Sequence, residues 1–477
     1  MIDTLGMLRS DVLSKSWHPY LFDLMHANNL LGSAPRSSQD NFRLTVAALL
    51  PSSQGAQTPF QKSLMDIRRV AADGKDGLEK MAKLRQAGAK AAHLFLKENR
   101  EDSLNIYKII AWIDGIRRTS WDAALGFFYH AVFHSSLGSQ ELSLFVDGLI
   151  TLRNHLVRQE PSDRRERDLK CWKDVFVIVQ ESIWRRTGGD ASVFSNFDQT
   201  VLDPEIKILV RSTGLVYQAH CKRIEDDELV RQLATLVYEL ETSIPFNSLE
   251  VKDIYLFALQ GILQVMTLSE ERSSTHSGKF RKIYSDLKLR IESALNKCEI
   301  EAAQKEKREP DGIFRDSLPQ RYRLPFMAAY KDSLDSLFEK RPKNFQLANF
   351  LVSPDGLLLR PRQSIDLNAL GDPLATEARE AYFCPEGFNV KGLIQWDDDG
   401  HIVYCVPTEE VTIPGYGVFQ ASHELRFMYG DHSGRVLQGV LSQPLHYQQG
   451  EQECILAPGT KVTWDKDGNI TKAEPQF

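Results

Sequence analysis

The stretch Trp396-Asp397-Asp398-Asp399-Gly400-His401-Ile402-Val403 reads as the turn of a β-hairpin. An aromatic residue stands ahead of an acidic turn, a glycine can take positive φ, and aliphatic residues resume the strand. The pattern returns as Tyr429-Gly-Asp-His-Ser-Gly434-Arg-Val436 and as Trp464-Asp-Lys-Asp-Gly468-Asn-Ile470. The three glycines, 400, 434 and 468, stand 34 residues apart. Between them lie second strands, Glu410-Val-Thr-Ile-Pro414 and Pro444-Leu-His-Tyr447, followed by turns at Gly415-Tyr-Gly417 and Gly450. Upstream, Phe350-Leu-Val-Ser-Pro-Asp-Gly356-Leu-Leu-Leu359 forms one more hairpin-like unit. Residues 344–477 therefore read as a β-rich repeat domain. It is acidic, with 9 Lys+Arg against 18 Asp+Glu, while the whole chain carries −6.

Ahead of this region the texture is helical, from about Leu8 to Glu306. Leu104, Ile106, Tyr107, Ile109, Ile110, Ile113 and Ile116 recur at helical spacing. So do Leu142, Phe145, Val146, Leu149 and Ile150, and then Val175, Phe176, Ile178, Val179 and Ile183. Asp203-Pro204-Glu205 and Asn247-Ser248-Leu249-Glu250 are helix-start signals, and Thr187-Gly188-Gly189-Asp190 is a breaker. The expectation is α+β in two parts. A large all-α bundle or irregular α-solenoid over 1–298 precedes a charged, proline-marked linker with a short helix over 299–343. A small antiparallel β-hairpin domain over 344–477 follows. The short helix is expected near Phe326–Glu339.

The repeat resembles the bacterial MORN-like β-hairpin repeats, and Ala457-Pro458-Gly459-Thr460-Lys461-Val462-Thr463-Trp464 is similar to their connecting phrase. The likeness covers about the last 85 residues. The spacing is longer than the MORN repeat and its Tyr-x-Gly core is missing. The resemblance implies a structural or contact surface, and no chemistry.

Candidate sites in the helical region centre on Arg153, Asn154 and His155 in Leu149-Ile-Thr-Leu-Arg153-Asn154-His155-Leu156. This segment resembles the helical HEPN ribonucleases, whose motif pairs an Arg and a polar neighbour with a His one turn or more further on. That resemblance implies phosphate contact and RNA cleavage. The window for the His holds Arg158, Gln159 and Glu160, however, so its catalytic member is missing. His130 and His134 share a helix face at metal-competent spacing, without a third ligand. Arg164-Arg165-Glu166-Arg167 and Arg185-Arg186 could touch phosphates. The first cluster is expected in a solvated loop after Pro161.

In the β region, Asp465-Lys466-Asp467-Gly468 looks like the start of a calcium loop. Ile470 and Gln476 stand where such a loop needs Gly and an acidic ligand. Asp397-Asp398-Asp399 could hold a hard cation. His401, His423, His432 and His446 with Cys384, Cys405 and Cys454 could assemble zinc, but no pair has the usual short spacing. The six cysteines form no CxxC and read as reduced thiols. No P-loop, dinucleotide fingerprint or GxSxG is present.

Taken together, the sequence predicts a non-enzymatic protein–protein interaction or adaptor protein. The setting such a chain suggests is bacterial and cytoplasmic, as an accessory subunit or effector. No cofactor, metal or membrane partner is expected, and nucleic acid is disfavoured. The expected partner is another protein, basic in character, met through the acidic module. The alternative is an RNA-cleaving or RNA-binding protein related to HEPN, with its site in the helical body.

Overall fold

The computed structural model describes residues 58–243, 265, 277–306 and 345–475. Within these spans it leaves out 75–76, 100–108, 110–111, 113–114, 118, 135–136, 195–196, 198–203, 347–349, 361, 368–372, 385, 398–399, 430–433 and 450–451. The helical expectations for 1–57 and at Asn247–Glu250, and the short helix near Phe326–Glu339, lie outside the described residues. The chain divides into two compact units. One is Met1–Pro325 with Pro354–Gly356; the other is Phe326–Ser353 with Leu357–Phe477. The first is helical and the second is built of antiparallel strands, a two-part α+β fold.

The helical unit contains α1 (Pro59–Ala72), α2 (Leu78–Glu98), α3 (Trp121–His134), α4 (Ser139–Arg158) and α5 (Asp163–Arg186). A short 3-10 helix (Ala191–Phe194), α6 (Pro204–His220), α7 (Asp226–Ser243) and α8 (Ser277–Glu306) follow. Thr58 caps α1 reciprocally with Gln61, and Pro59 fills its first position. Neighbours in sequence pack in turn: α1 on α2, α2 on α3, and α5 on α6 and then α7. The middle helix, α5, touches α3, α4 and α6. From Val175 to Trp184 every residue of α5 is buried, so this part of the helix has no solvent face.

Helix α2 meets α3 at unusually close range. A Cβ on Gly88 would run into the carbonyl of Ala123, and one on Gly126 into the carbonyl of Arg85. Ala89, Ala92, Ala123 and Ala124 keep the rest of the crossing thin. Phe60 from α1 closes its end, edge-on to Phe95 at 5.2 Å and to Trp112 at 4.9 Å. Buried charges on this side are paired: Arg85 with Asp122 at 3.2 Å, and Arg117 with Asp168 at 3.0 Å. The Trp121 indole N–H donates to the other Asp168 oxygen at 2.9 Å.

The β unit contains fifteen described strands. Nine form one antiparallel sheet, in the order β1-β4-β5-β6-β7-β10-β11-β14-β15. Its repeat-bearing strands are β6 (Asn389–Trp396), β7 (Ile402–Cys405), β10 (Leu425–Phe427), β11 (Val436–Val440), β14 (Thr460–Trp464) and β15 (Ile470–Pro475). The hairpins β8–β9 (Val411–Ile413, Gly417–Phe419) and β12–β13 (Leu445–Gln449, Gln452–Leu456) stand outside the sheet as separate two-stranded ribbons.

The 34-residue spacing is a true structural period. The Lys391 N–H to Val406 O bond at 3.0 Å returns as Gln420 N–H to Val440 O at 2.9 Å. The Thr408 N–H to Asn389 O bond at 2.9 Å returns as Ser442 N–H to Val418 O at 2.8 Å. The bridge Val390–Pro407 returns as Phe419–Leu441. Gly400, Gly434 and Gly468 take φ of 85°, 83° and 84°, a region open to glycine and strained for other residues. In the first and third turns the leading Asp ties the turn shut. Asp397 accepts from the His401 N–H at 2.8 Å, and Asp465 from the Asn469 N–H at 2.8 Å. Each repeat also leans on the next: Tyr416 and Phe419 of hairpin β8–β9 pack edge-on against Trp464 at 5.5 and 5.8 Å.

The helix crossing makes a direct prediction. Gly88→Ala or Gly126→Ala forces backbone apart and destabilises the helical unit by about 1–3 kcal/mol or more. The check is the urea midpoint followed by far-UV circular dichroism. Ser139→Ala, at the exposed start of α4, is the control and stays within about 0.5 kcal/mol of wild type.

Candidate functional site

A cavity of roughly 410 Å³ opens in the helical unit among the end of α5, the 3-10 helix, α6 and α7. Local chain chemistry builds it. Helix α5 stops at Thr187-Gly188-Gly189-Asp190, with Gly188 at φ 58° and Gly189 at φ 81°, and the Gly189 N–H returns to the Trp184 carbonyl at 2.9 Å. Asp190 then caps the Ser192 N–H at 2.9 Å and starts the 3-10 helix. This reversal lays Phe194 over Trp184, with ring centres 4.5 Å apart and planes 20° from parallel, and Phe197 meets Phe194 edge-on. On the α6 side, Gly214 leaves room for the indole; a Cβ there would come within 2.6 Å of the ring.

The polar groups of this cavity fall into two kinds. Those at the rim are paired. Arg211 bonds Glu239, and the Arg231 Nε donates to Glu228 at 2.8 Å. Gln232 also donates to Glu228 at 2.7 Å. The Gln232 hydrogen bond and the Arg231 guanidinium hold the Glu228 carboxyl below its usual range. Deeper groups are not paired. Trp184 is 4% exposed, and its indole N–H has no acceptor among the described residues. The half-buried Gln218 amide also lines the cavity, and none of the described hydrogen bonds uses its side chain. The lining offers stacking surface and hydrogen-bonding edges. It holds no Ser, Cys or His nucleophile, so its chemistry is that of binding.

The residues singled out by sequence lie elsewhere. Arg153 and Asn154 sit half-buried on α4, with the Arg153 guanidinium 6.0 Å from the centre of the Trp172 ring and bonded to the Asn154 oxygen at 3.4 Å. Trp172 is itself buried, stacked on Phe176 at 4.9 Å, and donates its N–H to the Leu149 carbonyl at 2.9 Å. Arg153 thus takes part in the α4–α5 packing. The His155 backbone belongs to α4, and its side chain lies outside the described residues, as does that of His134. The basic cluster Arg164–Arg167 is not in a loop, as its position after Pro161 suggested. It forms the first turn of α5, because the Ser162 hydroxyl caps the Arg165 N–H at 3.2 Å.

In the β unit, the Asp465 carboxylate is occupied by Asp467, Asn469 and the turn itself. Asp398, Asp399 and His432 lie outside the described residues. His423 faces the Ala421 carbonyl at 3.0 Å, and His446 faces Glu453 at 3.4 Å. Cys384 and Cys405 are buried, and burial pushes both thiols up. Among the described residues, no group of three or more His, Cys, Asp or Glu is placed to hold a metal ion. None of the described helices is long and apolar enough to cross a membrane.

Sequence reading missed Trp184, Gln218 and Arg231, which come together from three helices. The only local trace of the cavity is the Gly188-Gly189 turn directly after the apolar run that ends in Trp184. No family model matches the chain, and neither a curated protein nor a solved structure shows significant similarity to it.

His130 supplies a pH prediction. It is fully buried beside His93, ring centres 5.7 Å apart, and burial first, then His93, lowers its pKa to about 3. The folded unit keeps this imidazole neutral, while the unfolded chain protonates it below about 6.5. Stability is therefore complete above pH 6.5 and falls as the pH drops toward 3, by up to about 1.4 kcal/mol per pH unit. Urea midpoints between pH 7.5 and 4.5 check this, and His130→Leu flattens the slope.

Proposed function

We propose that this chain is a non-enzymatic protein–protein interaction protein, whose acidic β-hairpin repeats dock a basic surface of another protein. One observation supports the reading above the others. The strand order places the turns β6–β7, β10–β11 and β14–β15 at the same end of one sheet. Two strand spacings separate successive turns, a step of about 10 Å. Each turn carries an Asp three residues before its glycine: Asp397, Asp431 and Asp465. Where described, that Asp is fixed by backbone N–H groups, which keep Asp465 ionised by lowering its pKa. A row of fixed carboxylates in a unit with twice as many acids as bases suits a lysine- or arginine-rich partner. Kinship with the MORN-like repeats, as contact scaffolds, is part of the same proposal. The ribonuclease reading gains no such support, because Arg153 is engaged with Trp172.

Cross-linking mass spectrometry of the full chain in source-cell extract tests it. Cross-links from Lys466, between Asp465 and Asp467, are expected to reach a basic segment of one partner. They are lost above about 0.5 M salt and in the triple variant Asp398→Asn, Asp399→Asn, Asp467→Asn. Cross-links that survive both changes, or none from this end of the sheet, contradict the proposal.

A further inference from the structure

We propose that the cavity between α5 and α7 is a binding site for a nucleoside monophosphate. Four features of its lining, taken together, select that chemistry.

The first is stacking surface. Trp184, Phe194 and Phe197 supply three rings from one short stretch of chain, and Gly214 seats the indole against α6. Planar heteroaromatic ligands stack on such walls, and stacking contributes about 1–3 kcal/mol per base.

The second is the buried Trp184 N–H, which has no acceptor among the described residues. An unmade hydrogen bond of this kind costs about 1–3 kcal/mol. A hydrocarbon ligand leaves that cost in place. A base, with ring nitrogens and carbonyl oxygens in the plane of its stacking face, removes it.

The third is Gln218. Its amide presents one donor edge and one acceptor edge, which match the edge of a nucleobase.

The fourth is the rim. Arg231 is bound only to Glu228 of its own helix turn, in an exposed pair of the kind worth about 0–1 kcal/mol. A phosphate takes a guanidinium from such a carboxylate at little cost. Glu228, once released, remains beside the cavity as an acceptor for ribose hydroxyls. The cavity volume of roughly 410 Å³ fits a ligand of this size.

The proposal is independent of the docking role of the β unit. Its test uses the full chain, titrated calorimetrically with AMP, GMP, CMP and UMP, and then with the nucleoside of whichever binds tightest. One nucleotide is expected to bind at a single site with micromolar affinity. Arg231→Ala weakens the nucleotide about tenfold and leaves the nucleoside unchanged. Gln218→Leu weakens both. Trp184→Phe keeps the stack, removes the donor and also weakens both, with thermal melts confirming that each variant is folded. No saturable binding of any of the four nucleotides up to 1 mM overturns the proposal. Binding that Arg231→Ala and Gln218→Leu both leave unchanged overturns it as well.

Discussion

The helical unit depends on burying one helix on every side. Ten consecutive residues of α5, Val175 to Trp184, are out of solvent, and three of them are polar. A helix in that position is stable only if those three find partners, because an unpaired buried polar group costs about as much as a hydrogen bond contributes. They do find them. Gln180 donates to the Thr213 hydroxyl at 3.1 Å and to the Val177 carbonyl at 3.0 Å. Ser182 returns to the Ile178 carbonyl at 3.2 Å. Glu181 accepts from the Tyr217 hydroxyl at 3.2 Å, and Arg185 donates to that same hydroxyl at 3.3 Å. These bonds also fix which face of α6 meets α5. With that face fixed, Gly214 lies under Trp184 and the cavity opens beside it. At the other end of α5, Trp172 is held under Arg153. The cavity and the discarded ribonuclease-like segment are thus both consequences of how α5 is buried.

The β unit rests on a different principle, repetition with nearest-neighbour cover. Its hydrogen bonds recur at a 34-residue offset, and the hairpin of one repeat lays its aromatic residues on a strand of the next. A leading Asp and a glycine at positive φ make each described turn a fixed corner. The same corners bring the acidic residues to one end of the sheet. Structural need and surface charge are therefore met by the same side chains.

What could be read in the sequence follows from the range of the interactions involved. The two-part fold was legible because periodicity is local: 3.6-residue spacing before Glu306, and turn glycines 34 apart after Gly400. The 34-residue period was legible for the same reason, since turn chemistry needs only a few neighbouring residues. The Arg164–Arg167 cluster was misread because Pro161 drew attention from Ser162, whose capping bond turns the next residues into helix. The cavity was not legible at all. Trp184, Gln218 and Arg231 lie far apart in sequence and none has a distinctive pattern around it. What marks them is an unmade hydrogen bond, and that exists only once the helices are packed.

Native-state hydrogen exchange read by mass spectrometry tests the central role of α5 most directly. If its all-round burial organises the helical unit, amides of Val175–Trp184 are the slowest to exchange within residues 58–243, opening only with global unfolding. Exchange in that stretch as fast as in α7, which is exposed along one side, would contradict the account.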